Sequence, residues 1–453
     1  MALLDERTGD GRITETPADR LARLLDSGTA TVAVLGLGYV GLPLALTAAE
    51  RGFPVLGFDN DPAKVGALNA GRPYLRHVAE GRLRSLLDAH RFAAAGDFTR
   101  LGEADVIAIC VPTPLTPQRE PDLRYVAATA ETIAAHLRAG QLVVLESTTY
   151  PGTTAELVLP ILAGSGLACG RDFFLAYSPE REDPGNREYS GGTIPKVVGA
   201  DDDASAALAE AFYRRVTPAV VRVSSTRTAE ATKLLENIFR GVNIALVNEL
   251  KMIYERMGID VWEVLDAAAT KPFGFMRFDP GPGWGGHCIP VDPFYLAWKA
   301  REHGVAARFI ELAGEVNVRM PEYVVERLAR ALNERGKPVK GSRVLLLGMA
   351  YKRDVDDVRE SPGFVILDLL TRLGAAVEYH DPLVPATPSM RHFPAYAGMR
   401  SLPLDAAMLA AQDAVVVVTN HSGVDYELVR RHAPLIVDTR GVYRGGDAHV
   451  VPA

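Results

Sequence analysis

Short apolar runs alternate with longer Ala- and Leu-rich stretches over the first half of the chain. The runs are TVAVLGLG, FPVLGFDN, DVIAICVPTP, QLVVLESTT and FFLAYSPE, and each leads into a turn or a polar loop. Short apolar runs bounded by turn signals are typical of strands buried on both faces. Because strands that alternate with helices form doubly wound parallel sheets, we predict an α/β domain over residues 31–220.

A long helical period follows this domain. The segment TRTAEATKLLENIFRGVNIALVNELKMIYERMG contains no proline and one internal glycine, Gly241. Uninterrupted helices of this length join domains or form dimer contacts. A shorter helix, DVWEVLDAAAT, a Gly/Pro-rich loop and the stretch NVRMPEYVVERLARALNERG complete a helical middle domain, which we place at residues 221–330.

The α/β pattern then resumes. Strands are predicted at SRVLLLGMAY, AAVEYHDP, DAVVVVTN and LIVDTRG, with helices such as GFVILDLLTRLG between them. A smaller Rossmann-like domain therefore occupies residues 331–453, and residues 1–30 form a polar arm with a short helix, PADRLARLLDSG. The predicted fold is α/β, with two Rossmann-like doubly wound parallel-sheet domains joined by a long central helix and a helical middle domain.

Composition narrows the classes of partner. The 453 residues suit about three domains of roughly 150 residues, and the net charge of -7 argues against nucleic acid or a membrane surface as the main partner. Three cysteines do not make a disulfide framework. The N-terminal stretch is charged and contains no apolar run, so we do not expect it to be a signal peptide, and no apolar run reaches the roughly 18 residues of a spanning helix. We expect a cytoplasmic protein, and no metal site is predicted.

A dinucleotide fingerprint lies in VAVLGLGYVGLPLA. Gly36, Gly38 and Gly41 come directly after a strand and open a helix. This spacing allows a tight turn, close approach of the backbone to a pyrophosphate, and close packing of helix on strand. The free N–H groups at the start of the helix favour phosphate.

Asp59 ends the second strand, about twenty residues after the glycines, as the fingerprint requires. A carboxylate there accepts hydrogen bonds from both ribose hydroxyls and repels a 2′-phosphate. The next residue is Asn60 rather than arginine, which favours NAD over NADP. The alternative is that Asp59 caps the helix that follows DNDP.

Two further loops follow predicted strands. In an open parallel sheet, ligands bind beyond the carboxyl ends of the strands. CVPTP and ESTTYPG lie there, which puts Thr113, Pro114, Ser147 and Thr148 within reach of the dinucleotide, although ordinary turn chemistry would also explain these residues. Cys110, inside a strand, is predicted to belong to the core.

The segment GPGWGGHCIPVDP carries Cys288 on a glycine-rich loop, beside His287 and four residues before Asp292. A free cysteine is usually a small core hydrophobe. The alternative is a nucleophile, since glycines permit close approach of a substrate to the backbone.

Seven motifs in order settle this choice: GLGYVGLPLA, VPTP, EST-YPGTT, SPEREDPG, KLLENIFRGVNIALVNEL, GPGWGGHCIPVDP and GMAYKRDVDDVRESP. Together they resemble the nucleotide-sugar 6-dehydrogenases of the UDP-glucose/GDP-mannose dehydrogenase family. The resemblance implies a homodimer or larger homo-oligomer that oxidises a sugar CH2OH to a carboxylate with two NAD. It also implies that Cys288 is the nucleophile, which forms a thiohemiacetal and then a thioester.

The resemblance assigns roles to further side chains. Lys233 and Asn237, spaced i, i+4, share one face of the long helix, where the lysine would stabilise an oxyanion. Without the resemblance, a solvated helix charge explains Lys233 equally well. Asp292 would act as a general base through a water or tune that lysine. Thr148 and Glu180 would position the other catalytic water, with Glu180 a candidate base for thioester hydrolysis.

Cations for the substrate diphosphate are also carried over. Lys352 of YKRD and Arg440 of DTRG would contact the sugar nucleotide, Arg359 of VRES would reach NAD, and Arg277 would contact substrate, sometimes across a dimer. The predicted substrate contacts also include Glu180, Lys233 and Asn237. The predicted cofactor contacts are Gly36, Gly38, Tyr39, Val40, Gly41, Asp59, Lys64, Thr113, Pro114, Ser147 and Arg359.

Two departures bear on the substrate. UDP-glucose enzymes tend to have GGSC and an acidic PEFL-EG segment, whereas this chain has His287 before the cysteine and SPEREDPGN. These features, with IPVDPFYLAWKA, are closer to the UDP-N-acetylglucosamine branch. His287 either lowers the thiol pKa or contacts substrate. The sugar, and uridine against thymidine diphosphate, stay open, as do two rivals: a two-electron dehydrogenase of similar fold, and a non-catalytic sugar-nucleotide sensor.

Overall fold

The structure is a computed structural model that describes residues 15–75, 78–116, 118–181, 193–286, 289–390 and 392–453. The chain divides into two compact units, Met1–Leu235 and Glu236–Ala453. The division falls within one long helix, α8 (Thr226–Met257).

A single sheet carries the first unit. Its strands, within the described residues, are β1 (Val32–Leu35), β2 (Val55–Phe58), β3 (Phe92–Ala95), β4 (Val106–Ile109), β5 (Leu142–Leu145), β6 (Phe174–Tyr177), β7 (Lys196–Gly199) and β8 (Val220–Val223). They are ordered β3-β2-β1-β4-β5-β6-β7-β8. All neighbours pair in parallel except β6 and β7, which are antiparallel.

Helices cover both faces of this sheet. They are α1 (Pro17–Ser27), α2 (Gly41–Glu50), α3 (Pro62–Asn69), α4 (Glu80–Asp88), α5 (Arg124–Ala134), α6 (Leu159–Ala163) and α7 (Asp203–Val216), with short helical turns at Phe98–Glu103 and Thr154–Val158. Alternate residues of β1 enter different cores: Val32 and Val34 pack with α1, α2 and α7, whereas Ala33 and Leu35 pack with α5 and α6. This two-sided burial explains why the strand sequences are continuously apolar.

The second unit begins with helices and ends in a smaller sheet. Its helices after α8 are α9 (Val261–Ala269), α10 (Asp292–Glu302), α11 (Arg308–Glu334), α12 (Pro362–Arg372), α13 (Ala406–Ala410) and α14 (Tyr426–His432), with a 3-10 turn at Pro394–Tyr396. Its strands are β9 (Arg343–Leu347), β10 (Ala376–His380), β11 (Ala414–Val417), β12 (Ile436–Asp438) and β13 (Val450–Pro452). They pair in parallel in the order β10-β9-β11-β12-β13.

The predicted fold class is confirmed: along the chain, an α/β region with a mainly parallel sheet is followed by a long helix, a helical segment and an α/β region with a parallel sheet. Every strand named from the sequence is present, and β3, β7, β8 and β13 are additions that the apolar pattern did not predict. Among the described residues, none of the helices combines the length and apolarity needed to cross a membrane.

Candidate functional site

The glycine loop has the geometry of a phosphate cradle. Gly36 has φ +90°, and a Cβ there would lie 2.5 Å from the carbonyl oxygen of Cys110. A Cβ on Gly41 would lie 1.9 Å from the carbonyl oxygen of Gly36, whereas one on Gly38 would meet nothing within 4 Å. The outer glycines thus permit tight packing, and Gly38 faces open space. No side chain caps α2. Although the Leu42 N–H donates to the Gly38 carbonyl at 3.1 Å, the open space at Gly38 and the positive end of the helix fit the pyrophosphate of NAD.

Asp59 ties this loop to the end of β2. Its Oδ2 accepts the Leu37 N–H at 3.1 Å and lies 3.4 Å from Lys64 Nζ, while its Oδ1 accepts the Asp61 N–H at 3.0 Å. The cap of α3 is Asp61, which accepts an N–H of the first turn at 2.9 Å. The alternative that Asp59 is the helix cap is therefore wrong.

The loops after β4 and β5 lie at the same edge, because these strands run parallel to β1 and β2 in matched register. Thr113 and Ser147 are buried, and Ser147 Oγ donates to the Val111 carbonyl at 2.7 Å. Thr148 is half-buried. The predicted cofactor residues that the first sheet gathers at this edge are Gly36, Gly38, Tyr39, Val40, Gly41, Asp59, Lys64, Thr113, Pro114 and Ser147. Cys110 is buried, as predicted.

Glu180 follows β6 at this edge and belongs to a buried charge network absent from the sequence-based expectations. Lys196 Nζ lies 2.7 Å from Glu146 Oε2 and 3.5 Å from Glu180 Oε2. The Tyr213 hydroxyl donates to the other oxygen of Glu146. Burial raises the pKa of Glu146, an effect that Lys196 opposes. The sequence signal was available: Glu146 ends the apolar run LVVL and Lys196 opens KVVG, so both charges adjoin buried strands.

A second buried carboxylate, on α8, holds the loop that carries Thr148. Glu230 accepts the N–H of Gly152 at 2.5 Å, and both the N–H and the hydroxyl of Thr154 at 2.9 and 2.7 Å. Burial raises the pKa of Glu230 to about 7, against these hydrogen bonds, which lower it. No local pattern indicates this contact, since its partners are some 76 residues apart.

The predicted catalytic side chains of α8 are buried. Lys233 is 6% exposed and Asn237 is 8% exposed, so a solvated helix charge no longer explains Lys233. Asn237 Nδ2 donates to Asp292 Oδ2 at 2.5 Å, which brings these two predicted residues together. Asp292 begins α10 and is itself buried.

Cys288 and His287 lie outside the described residues. The backbone that leads to them is described, and it needs glycine: Gly283 has φ +129° and Gly286 has φ +84°, values that side chains rarely adopt. The Gly286 N–H donates to the Arg359 carbonyl at 3.1 Å.

This loop packs against both segments predicted to bind the diphosphate. A Cβ at Gly285 would lie 2.6 Å from Tyr351 Cβ, and one at Gly281 would lie 2.5 Å from Arg440 Nη1. Tyr351 adjoins Lys352 after β9, and Arg440 follows β12, whose carboxyl ends share one sheet edge. Burial lowers the pKa of Arg440 to about 10, so it stays cationic at neutral pH.

The remaining two arginines have carboxylate partners of their own. Arg277 pairs with Asp266 at 2.6 Å and with Asp279 at 2.8 Å. Arg359 pairs with Asp357 at 2.6 Å. Contacts of Arg277 with substrate and of Arg359 with NAD stay predictions.

Comparison with known proteins finds one family that matches along most of the chain. The UDP-glucose/GDP-mannose dehydrogenase family matches in three parts: its NAD binding domain at residues 30–217, its central domain at 227–319 and its UDP binding domain at 345–445. A UDP-N-acetyl-D-glucosamine 6-dehydrogenase of Pseudomonas aeruginosa is 37% identical over 86% of this chain and 90% of its own.

Solved structures have the same fold over nearly the whole length. A UDP-D-ManNAc dehydrogenase of Pyrococcus horikoshii is 31% identical with a TM-score of 0.83, covering 93% of this chain and 98% of its own. A UDP-glucose dehydrogenase of Pyrobaculum islandicum is 31% identical with a TM-score of 0.79, covering 91% and 95%.

Proposed function

Because the chain belongs to the UDP-glucose/GDP-mannose dehydrogenase family and is thereby an NAD-dependent nucleotide-sugar 6-dehydrogenase, we propose that it converts a UDP-N-acetylhexosamine to the corresponding uronic acid through a thioester on Cys288. The observation that carries this proposal is the glycine loop before Cys288, whose backbone packs against Tyr351 and Arg440. That packing supports a nucleophile presented to a substrate whose diphosphate is held by cations.

The amino sugar is favoured by two observations. His287 and SPEREDPGN depart from the UDP-glucose pattern. The relative of Pseudomonas aeruginosa, at 37% identity, acts by its name on UDP-N-acetyl-D-glucosamine. UDP-glucose is the competing substrate, because the Pyrobaculum enzyme is also similar over most of the chain. Activity with thymidine diphosphate sugars would show whether the enzyme discriminates between uracil and thymine in the nucleotide.

The cofactor is held by the glycine loop and by Asp59, whose carboxylate selects NAD by repelling a 2′-phosphate. When bound there, NAD would supply the hydride acceptor for each of the two oxidations. The other cofactor contacts proposed are the Thr113, Pro114 and Ser147 loops.

The chemistry on the sugar assigns each step to a side chain. Once the C6 alcohol has become an aldehyde, the Cys288 thiolate adds to C6 and the electron pair of the C=O π bond moves to the oxygen, giving the oxyanion of a thiohemiacetal. Lys233 and Asn237 stabilise the developing oxyanions, with Asp292 fixed by its hydrogen bond to Asn237. After the second oxidation C6 is a thioester.

Hydrolysis completes the reaction. A water held by Thr148 and Glu180 attacks C6 while the Glu180 carboxylate takes its proton, and the bond between C6 and the sulfur breaks to release thiolate. One sugar nucleotide thus consumes two NAD and one water. Lys352 and Arg440 hold the diphosphate throughout, and Arg277 contacts the substrate.

The decisive experiment counts NADH formed per sugar nucleotide, run to completion on UDP-N-acetylglucosamine, UDP-glucose and dTDP-glucose. We expect two NADH per sugar, abolished in Cys288→Ser, with the best rate on the amino sugar. One NADH per sugar that is indifferent to Cys288 would establish the two-electron dehydrogenase instead. Tight binding without any NADH would establish the sensor.

We also propose that the chain consists of four parts, at residues 1–30, 31–220, 221–330 and 331–453. We further propose that it forms a homodimer or larger homo-oligomer in the cytoplasm. Large apolar side chains are exposed along one stripe of α8, which supports an interface there. They are Leu235, Phe239, Leu246, Ile253 and Met257.

A further inference from the structure

Lys196 is a buried cation shared by two carboxylates of the first unit. It opens β7, is 7% exposed, and points its ammonium at Glu146 Oε2 at 2.7 Å and at Glu180 Oε2 at 3.5 Å. Glu146 is fully enclosed, and its second oxygen is occupied by the Tyr213 hydroxyl. Glu180 keeps 21% of its side chain exposed, and its other oxygen, Oε1, accepts the N–H of Arg181 at 2.7 Å.

Lys196 has one carboxylate partner on its enclosed side and another on its accessible side. A buried ammonium is strongly unfavourable unless it is paired, and Glu146 with Tyr213 supplies a fixed partner on the closed side. Glu180 is the carboxylate on the accessible side. The ammonium is therefore held in place from behind and acts on Glu180 in front, over a distance at which a partly desolvated charge pair interacts strongly.

The surroundings of Lys196 keep its ammonium charged and keep the neighbouring hydroxyl and thiol neutral. Burial lowers the pKa of Lys196, but the Glu146 and Glu180 carboxylates outweigh that effect and the pKa is raised, so the lysine stays charged. Its ammonium also lies 5.4 Å from the Tyr213 ring centroid. Burial raises the pKa of Tyr213 and of the Cys110 thiol, so both stay neutral.

A small cavity adjoins this pair. It has a volume of about 30 Å³, and its walls include Glu180, Lys196, Tyr213 and Thr47. A water needs about 10–15 Å³ of such space and two or more polar partners. The cavity therefore has room for a water that contacts the Glu180 carboxylate and the ammonium.

We propose that Lys196 is a positioning residue that keeps the Glu180 carboxylate ionised and oriented as the base for thioester hydrolysis. The inference rests on the proposed function, which gives Glu180 this role. In the step itself, water bonds to C6, one water proton passes to Glu180, and the bond from C6 to sulfur breaks. The ammonium neither gains nor loses a proton.

The test compares Lys196→Met with Lys196→Arg in rapid-mixing experiments with UDP-N-acetylglucosamine and NAD. In Lys196→Met we expect the burst of two NADH per active site to persist and kcat to fall at least tenfold, with the KM for the sugar nucleotide within twofold. The acyl-enzyme should accumulate, visible by mass spectrometry of acid-quenched protein. Lys196→Arg should recover part of kcat.

The pH profile separates positioning from mere stabilisation. The ammonium favours ionised Glu180, so its removal raises the pKa of that carboxyl, and the acid limb of the kcat profile should move to higher pH. If Lys196→Met alone fails to fold, Lys196→Met/Glu146→Gln removes both buried charges and takes its place. The acid limb should then move in the same direction but less, because the repulsion of Glu180 by the Glu146 carboxylate is also lost.

Two outcomes overturn the inference. An unmoved acid limb would show that Lys196 only stabilises the fold, as would a loss of the burst in proportion to kcat. Either result, obtained while wild-type enzyme still forms two NADH in a Cys288-dependent way, leaves the proposed function standing. One NADH per sugar in the wild type would instead sink the proposed function itself.

Discussion

At the scale of single residues, the carboxylates that end strands do two tasks at once. Asp59 accepts the Leu37 N–H and so shapes the glycine loop, and in the proposal it also accepts the ribose hydroxyls. A residue with both tasks is hard to replace, because a change in charge affects the ligand and a change in shape affects the loop.

Asp59→Asn keeps the shape and removes the charge. A hydrogen bond to a charged group contributes about 1.5–3 kcal/mol, so we expect the KM for NAD to rise about tenfold to a hundredfold. The preference against NADP should weaken, because the charge that repels a 2′-phosphate is gone. Initial rates with each cofactor at saturating sugar nucleotide measure both effects.

Asp61→Asn is the matched control, since Asp61 caps α3 two residues away. Because asparagine caps a helix about as well as aspartate, the melting temperature should stay close to that of wild type and the KM for NAD within twofold. Equal KM changes in the two variants would show that Asp59 acts only through the fold.

The raised pKa of Glu230 predicts that the stability of the protein depends on pH. The carboxyl has an ordinary pKa of 4.5 and a pKa of about 7 in the folded protein, raised by burial. Between these values the folded state keeps a proton that the unfolded state has released, so the contribution is present below pH 4.5 and is lost as pH rises towards 7. From pH 5 to pH 8, wild type should lose about 2–3 kcal/mol of unfolding free energy relative to Glu230→Gln.

Urea unfolding of both proteins across this range measures the difference, in which the other titrating groups cancel. A difference that does not change with pH would mean that the hydrogen bonds from Gly152 and Thr154 keep Glu230 ionised. Glu230 would then be buried as a carboxylate rather than as a carboxylic acid at neutral pH.

At the scale of elements, the glycine loop before Cys288 is shaped by what it touches. In Gly285→Ala the new Cβ would lie 2.6 Å from Tyr351 Cβ and 2.9 Å from the Glu360 carbonyl oxygen. Neither atom is the end of a flexible side chain, so the loop itself must move, at about 1–3 kcal/mol. We expect kcat/KM to fall about a hundredfold with unchanged circular dichroism, because displacing a nucleophile is costly to the rate.

Gly423→Ala serves as the control in the same unit. Its nearest neighbour would be Pro382 at 3.6 Å, which is ordinary contact. Activity within twofold of wild type is expected there. Full activity in Gly285→Ala would contradict a close fit of this loop.

At the scale of the whole molecule, the sequence predicts a strand where its burial is two-sided. β1, β4 and β5 read as continuous apolar runs because helices cover both faces. β3 is FAAA, whose alanines fit a helix equally well, and β8 is partly exposed at the edge of the sheet. Local pattern could not assign such strands, since their pairing comes from neighbours distant in the chain.

The candidate site likewise contains residues that the sequence predicts and residues whose contacts depend on the tertiary fold. Thr113 and Ser147 follow from the rule that ligands bind at the carboxyl ends of parallel strands, whereas Glu180 came only from the family resemblance. All three follow strands at that edge in the structure. Lys196 and Glu146 are 50 residues apart, so their pairing depends on the tertiary fold. A charge next to an apolar run indicates burial but does not identify its partner.

The exposed apolar stripe on α8 predicts a homo-oligomer. Leu246 and Ile253 are 50% and 46% exposed, and their spacing of seven puts them on one helix face. Burying such a side chain contributes about 1.5–3 kcal/mol, and a charge in its place is far less favourable in an interface. Sedimentation at micromolar concentration should give a dimer or larger for wild type and a smaller species for Leu246→Glu.

Leu373→Glu is the control, because that leucine is also 49% exposed but lies just after α12, away from the stripe. It should sediment as wild type does. A monomeric wild type would refute the oligomer outright. An oligomer that survives Leu246→Glu and Ile253→Glu together would place the interface elsewhere, and the exposed face of α8 would then not be the subunit contact.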